Sequence, residues 1–143
     1  MGAIPALEFP ALVHPGQLGQ GPDLERLSGP GIRAFFNLAK AWELPIEAQR
    51  LLLGGIGKST LHRWKREQDA LLGLDQLERI SHLLGIHKSL QILLPTSANT
   101  WVTRPNQNPL FQGHPPLLLM VQGGIEGLRR VRQFLDAQRG GWA

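Results

Sequence analysis

The chain has no cysteine among its 143 residues, so neither a disulfide framework nor a thiolate metal site is open to it. No stretch approaches the run of roughly 18 apolar residues that a membrane-spanning helix needs, and no basic, apolar and small-residue leader opens the sequence. The expectation is an intracellular, cytoplasmic protein with no membrane partner. Catalytic signatures are missing too. The five histidines (His14, His62, His82, His87, His114) show no ligand spacing, and His82 and His87, five apart, do not share a helical face. No nucleophile motif accompanies a Ser-His-Asp order, and the acids are scattered. The sequence therefore predicts a protein that is not an enzyme and holds no cofactor or metal.

What is present begins with a hydrophobic fraction of 42%, enough to pack an interior in one compact domain with a tail or two small domains sharing a core. The net charge of +4 is unevenly spread. Residues 1–28 set Arg26 against Glu8, Asp23 and Glu25. The excess of positive charge lies in residues 29–98 and in residues 99–143, which makes those two segments the candidate binding regions.

Gly54–Gln68 is the most informative stretch. A glycine-rich turn leads into a short helix with four basic residues, Lys58, Arg63, Lys65 and Arg66. Leu61 and Trp64, three apart, fall on one face and can dock on a preceding helix. Ser59 and Thr60 stand at the helix start, where hydroxyls can cap free N–H groups and meet phosphate. This is the pattern of a recognition helix. Thr60, His62 and Arg63 are the candidates for base edges; Lys58, Lys65 and Arg66, with Ser59, are the candidates for phosphates. One such unit reads too few base pairs to be selective, so a homodimer is expected. Gly57-Lys58-Ser59 also imitates the tail of a phosphate-binding P-loop. That motif needs a glycine five residues before Gly57, where Leu52 stands, and a strand feeding the loop, whereas Pro45–Gly54 reads as helical.

The rest of the chain reads as short helices. Residues 1–29 are rich in proline and glycine and predict a flexible arm, stopped by Gly29-Pro30-Gly31. Residues 30–95 form the helix-turn-helix domain: Ile32, Phe35, Phe36, Ala39 and Trp42 give an amphipathic helix ended by Leu44-Pro45. Helices over Ile46–Leu53, Ser59–Gln68, Leu74–Leu84 (stopped by Gly85) and His87–Leu94 follow. Residues 96–143 form a C-terminal domain: an ordered loop around Trp101, Leu110 and Phe111, then helices over Leu117–Val121 and Ile125–Gln138. Trp42 and Trp101 are assigned to the core. The predicted fold is all-α: a helix-turn-helix bundle followed by a small helical domain.

The order of motifs along Gly31–Ala143 resembles the Xre/MbcA/ParS antitoxins, in particular the Xre partner of RES-domain toxins. The N-terminal half carries Thr60-Leu61-His62-Arg63-Trp64, Leu77-Glu78-Arg79-Ile80 and Leu83-Leu84-Gly85-Ile86. The C-terminal half carries Trp101, Arg104-Pro105-Asn106, Asn108-Pro109-Leu110-Phe111, Gly113, Pro116-Leu117, Met120, Gly123-Gly124, Val131-Arg132 and Leu135–Trp142. Gln112 and His114 depart from the pattern. The resemblance implies an antitoxin of a type II toxin–antitoxin module that binds its own operator DNA to autoregulate transcription. It also implies neutralisation of a RES-family, NAD-degrading toxin, whose active site the C-terminal domain covers. An exposed tryptophan beside Gly-Gly and an arginine is a poor core element but suits an interface. Arg139, Gly140, Gly141 and Trp142, with Arg132, are therefore the expected toxin contacts, an arginine being suited to a pocket for phosphates. The alternative is a stand-alone dimeric helix-turn-helix repressor, which would not need the Arg-Gly-Gly-Trp tail.

Overall fold

The structure, a computed structural model, describes residues 21–140. Among the described residues it holds helices and no strand: α1 (Gly21–Ala41), α2 (Ile46–Leu52), α3 (Lys58–Glu67), α4 (Leu74–Leu93), a 3-10 turn (Trp101–Thr103), α5 (Pro116–Gln122) and α6 (Gly124–Gly140). The periodic apolar residues of α1 are buried as their spacing demands: Ile32, Phe35, Phe36, Ala39 and then Trp42. Trp42 sits at the centre of the core with its ring tilted on His87, 6.5 Å between centroids. Glu43 turns left-handed (φ 55), which ends α1, and Pro45 starts α2 from an extended conformation.

Two helices run further than the sequence suggests. The flexible arm was expected to extend to residue 29, yet residues 21–29 are the first turns of α1, and Pro30 lies inside that helix. A proline there removes one backbone hydrogen bond and crowds a carbonyl, at a cost of about 3 kcal/mol. Long-range contacts hold the preceding turns in place. Leu27 and Ser28 are buried; the Ser28 hydroxyl donates to the Leu24 carbonyl at 2.6 Å and accepts from the Leu72 N–H at 2.9 Å. Just beyond, Arg33 donates to the carbonyl of Gln68 at 3.1 Å. The expectation for residues 1–20 lies outside the described residues.

The second case is α4, which runs unbroken from Leu74 to Leu93 where a stop at Gly85 and two separate helices were expected. Gly85 does not terminate the helix; it makes room on its side. A Cβ added there would lie 2.5 Å from Cζ and Nε of Arg132, so the missing side chain forms a notch in which the arginine of α6 lies. An interior glycine weakens a helix by roughly 1 kcal/mol, and this packing offsets that loss.

α4 packs most extensively on α6, which covers it lengthwise, and on α1. Leu128, Val131 and Leu135 of α6 are buried, and a polar seam to α4 runs beside them. Arg129 reaches Glu78 (3.4 Å) and Glu126 (2.7 Å). Arg132 donates to the Ser81 carbonyl (3.4 Å) and faces His82 Nδ1 (3.4 Å) and Asp136 (3.7 Å). The Ser89 hydroxyl donates to Asp136 at 2.9 Å and accepts from Arg139 at 3.3 Å. Trp101, Phe111 and Phe134 close the far side as an aromatic triangle with centroids 5.5–6.4 Å apart.

Because an arginine can only donate, His82 Nδ1 is the acceptor and the ring proton sits on Nε2, on the side of Glu78. Burial lowers the His82 pKa below its usual value, and the positive charge of Arg132 lowers it further; burial alone lowers that of His87. A base whose folded pKa lies below its unfolded value binds fewer protons when folded. Stability is therefore full above the unfolded value of about 6.5 and falls as pH drops through it. The thermal midpoint is expected to decline between pH 7.5 and 5.5, and His82→Gln should flatten that decline. Parallel melts of the two proteins over this range check it, and identical slopes would refute a role for His82.

Glycine substitutions probe the packing. A Cβ at Gly127 would collide with the Leu119 carbonyl oxygen, a backbone atom with nowhere to go, whereas at Gly85 it meets only a movable guanidinium. Gly127→Ala should cost about 1–3 kcal/mol. Gly85→Ala should stay within about 1 kcal/mol of the parent, since alanine's helix propensity offsets the displaced arginine. Urea unfolding of both variants tests this; an equal loss would mean that Arg132 cannot leave its notch.

Candidate nucleic-acid interface and C-terminal partner surface

α3 is mounted by its two apolar residues. Leu61 is fully buried and Trp64 nearly so, which turns the other side of the helix outward. Lys58, Ser59, His62, Arg63, Lys65 and Arg66 are exposed and Thr60 is half-buried. The structure thus brings all seven predicted residues onto one short helix, with Thr60 nearest the bundle. Among the described residues Lys58, Arg63 and Lys65 make no ion pair, and Arg66 has only a loose one with Glu67 at 3.9 Å. The expected capping by Ser59 and Thr60 is not found. Gly57 is the N-cap and no side chain bonds to the first turn, because the helix starts one residue earlier than expected and places both hydroxyls inside it. The backbone N–H groups of that turn consequently have no side-chain partner, and α3 presents positive charge and open donors together.

The turn before α3 is held by groups that spacing alone did not single out. Gly54 and Gly55 adopt positive φ (95 and 84) and close α2 with bonds to the Leu51 and Arg50 carbonyls. Arg50 then spans the turn: Nε donates to the Ile56 carbonyl at 2.8 Å, and Nη1 reaches both oxygens of Glu47 at 2.7 Å. On the other side Gly54 abuts the ion pair of Asp75 with Arg79, 2.9 Å apart. The angle between α2 and α3 is thereby set by backbone and by two arginines. α2 is a helix and no strand feeds Gly57, so the P-loop imitation has no structural counterpart.

The expected C-terminal contacts divide. Arg132 is not a free side chain. Its guanidinium is spent in the seam with α4, its side chain 26% exposed, on partners some fifty residues away of which local spacing carries no sign. Arg139 and Gly140 are exposed at the end of α6, with Arg139 touching Ser89. Gly141 and Trp142 lie outside the described residues. Among the described residues, no three His, Asp or Glu side chains gather as a metal-holding group, and no helix is long and apolar enough to cross a membrane.

Comparison with known proteins converges on one family. The antitoxin Xre-like helix-turn-helix domain matches residues 23–85, and the antitoxin Xre/MbcA/ParS C-terminal toxin-binding domain matches residues 89–141. An uncharacterized protein of Sinorhizobium fredii, y4oB, is 41% identical over 126 residues, covering 86% of this chain and 95% of that protein. No solved structure matches. The two matched regions meet inside α4, and α3, with its outward basic face, lies within the first. A helix-turn-helix unit joined through one shared helix to a toxin-binding domain places this chain in the Xre-type antitoxin family.

Proposed function

We propose that this antitoxin belongs to a type II module whose toxin is a RES-family, NAD-degrading protein. In this reading the C-terminal domain covers the toxin's active site, and the helix-turn-helix domain binds the operator of its own operon as a homodimer and represses transcription. The observation that carries the DNA half is the outer face of α3, where four cations stand without an acid between Lys58 and Arg66 on a helix fixed by Leu61 and Trp64. Thr60, His62 and Arg63 read base edges; Lys58, Ser59, Lys65 and Arg66, with the uncapped first-turn N–H groups, hold phosphates. Two copies place their α3 helices in successive major grooves, about 34 Å apart.

On the toxin side, Arg139 and Gly140 form the exposed end of α6, and with Gly141 and Trp142 they make the segment that enters the toxin. Arg132 acts from behind, by fixing α6 on α4. A RES toxin binds the anionic phosphates of NAD, and a guanidinium at the tip of this domain is the complementary group.

Two experiments test the halves separately. With the DNA upstream of its own gene, the logarithm of the affinity should fall linearly with the logarithm of salt. Arg63→Ala should lose roughly 1–3 kcal/mol and relax specificity, while Lys65→Ala weakens all sequences alike and lowers the salt slope by about 1. Variants indistinguishable from the parent would remove α3 from the interface. Co-expression with the product of the adjacent open reading frame, if RES-like, should give a complex and restore growth. A chain cut before Arg139 should lose both while still binding DNA. A full-length protein that neither binds nor rescues would rule out the RES pairing, and an active truncated chain would rule out the tail.

A further inference from the structure

The C-terminal domain has a groove of about 370 Å³ that neither the recognition helix nor the tail uses. Leu110, Phe111, Leu118 and Leu119 supply its apolar wall, and Arg130 and His114 are the ionisable side chains that line it; no acid does. Arg130 is exposed and makes no ion pair among the described residues, in contrast to its neighbours Arg129 and Arg132.

The walls are fixed by the chain itself. Asn106 Oδ1 accepts from the Asn108 N–H (2.9 Å) and Asn108 Oδ1 from the Leu110 N–H (3.0 Å). The Asn106 N–H donates to the His114 carbonyl at 3.2 Å, and the Gly113 N–H to the Asn106 carbonyl at 2.9 Å. Gln112 takes a left-handed conformation (φ 52). On the opposite wall, α5 and α6 meet with no room for a Cβ at Gly123 or Gly127. The groove is therefore formed before anything enters it, and filling it requires little ordering.

What fills it follows from where it lies. Every residue lining it falls within the matched toxin-binding domain, residues 89–141. Another side of that domain is already taken: Arg132 and Asp136 are bound in the seam with α4, and Leu128, Val131 and Leu135 beside them are buried. A toxin must dock elsewhere. We infer that this groove is a toxin-docking site distinct from the tail, taking an apolar side chain of the toxin with a carboxylate beside it paired to Arg130. The inference rests on the chain acting as an antitoxin and specifies a surface for that role. Arg130 and Arg139 are nine residues apart, roughly 14 Å along α6 and half a turn round it, Arg139 on the side of Ser89 and Arg130 on the groove, so the groove is a contact separate from the tail.

The test uses the full-length protein co-expressed with the adjacent toxin candidate. A photo-crosslinking benzoylphenylalanine at Gln122, on the groove, should couple to the toxin, while the same probe at exposed Glu25 of α1 should not. Arg130→Glu should weaken the complex about tenfold or more and Arg130→Lys should retain most of the affinity, with DNA binding unchanged in both. If the parent forms a complex but Arg130→Glu binds as tightly, or Gln122 does not crosslink, the groove is overturned and the antitoxin pairing stands. If the parent forms no complex, the pairing fails and the groove inference falls with it.

Discussion

The contact between α4 and α6 is the constraint on which the rest depends. An arginine lying in the space of a missing side chain is a specific way to join two helices, because the notch at Gly85 receives the guanidinium of Arg132, which there meets the Ser81 carbonyl and His82. The hydroxyl of Ser89, about one turn further along α4, repeats the effect by bonding to Asp136 and Arg139. Polar bonds of this kind add modestly to stability. Their larger effect is to forbid slippage, since any axial shift leaves a half-buried guanidinium without partners. The apolar stripe of Leu128, Val131 and Leu135 supplies the adhesion, and the seam sets the alignment.

That division explains what could be read in the sequence. Helices α2 and α3 are bounded by local signals (Pro45, the Gly54-Gly55 pair, Gly57), and their limits fall within a residue of expectation. The break at Gly123-Gly124 is equally local. The start of α1 and the continuity of α4 are not legible locally, and for one reason: Pro30 and Gly85 are helix breakers by intrinsic preference, and both are overruled by groups far along the chain. Ser28 is held by Leu72, and Gly85 faces Arg132. Charge was legible as composition but not as availability. The basic face of α3 is open as expected, whereas Arg132 is bound inward and Arg130, which no motif singled out, is free of ion pairs among the described residues.

The buried histidines follow the same logic. His82 sits between Arg132 and Glu78, so the seam is electrically balanced only while the imidazole is neutral. A third positive charge there would oppose the two arginines that align the helices. The family's two matched regions divide between residues 85 and 89, one turn from His82, at a place where the chain itself has no hinge.

α4 is 20 residues long, about 30 Å at the rise of an α-helix, and it serves both halves without a joint. In most two-domain regulators a linker lets each head search independently. Here the shared helix acts as a rigid shaft: whatever is held by the C-terminal domain has a fixed bearing relative to whatever lies against α3. Spacing and orientation of cargo around a DNA axis would then be a property of one helix's length and twist. Adding or removing a residue within α4 would rotate the one head by about 100° relative to the other.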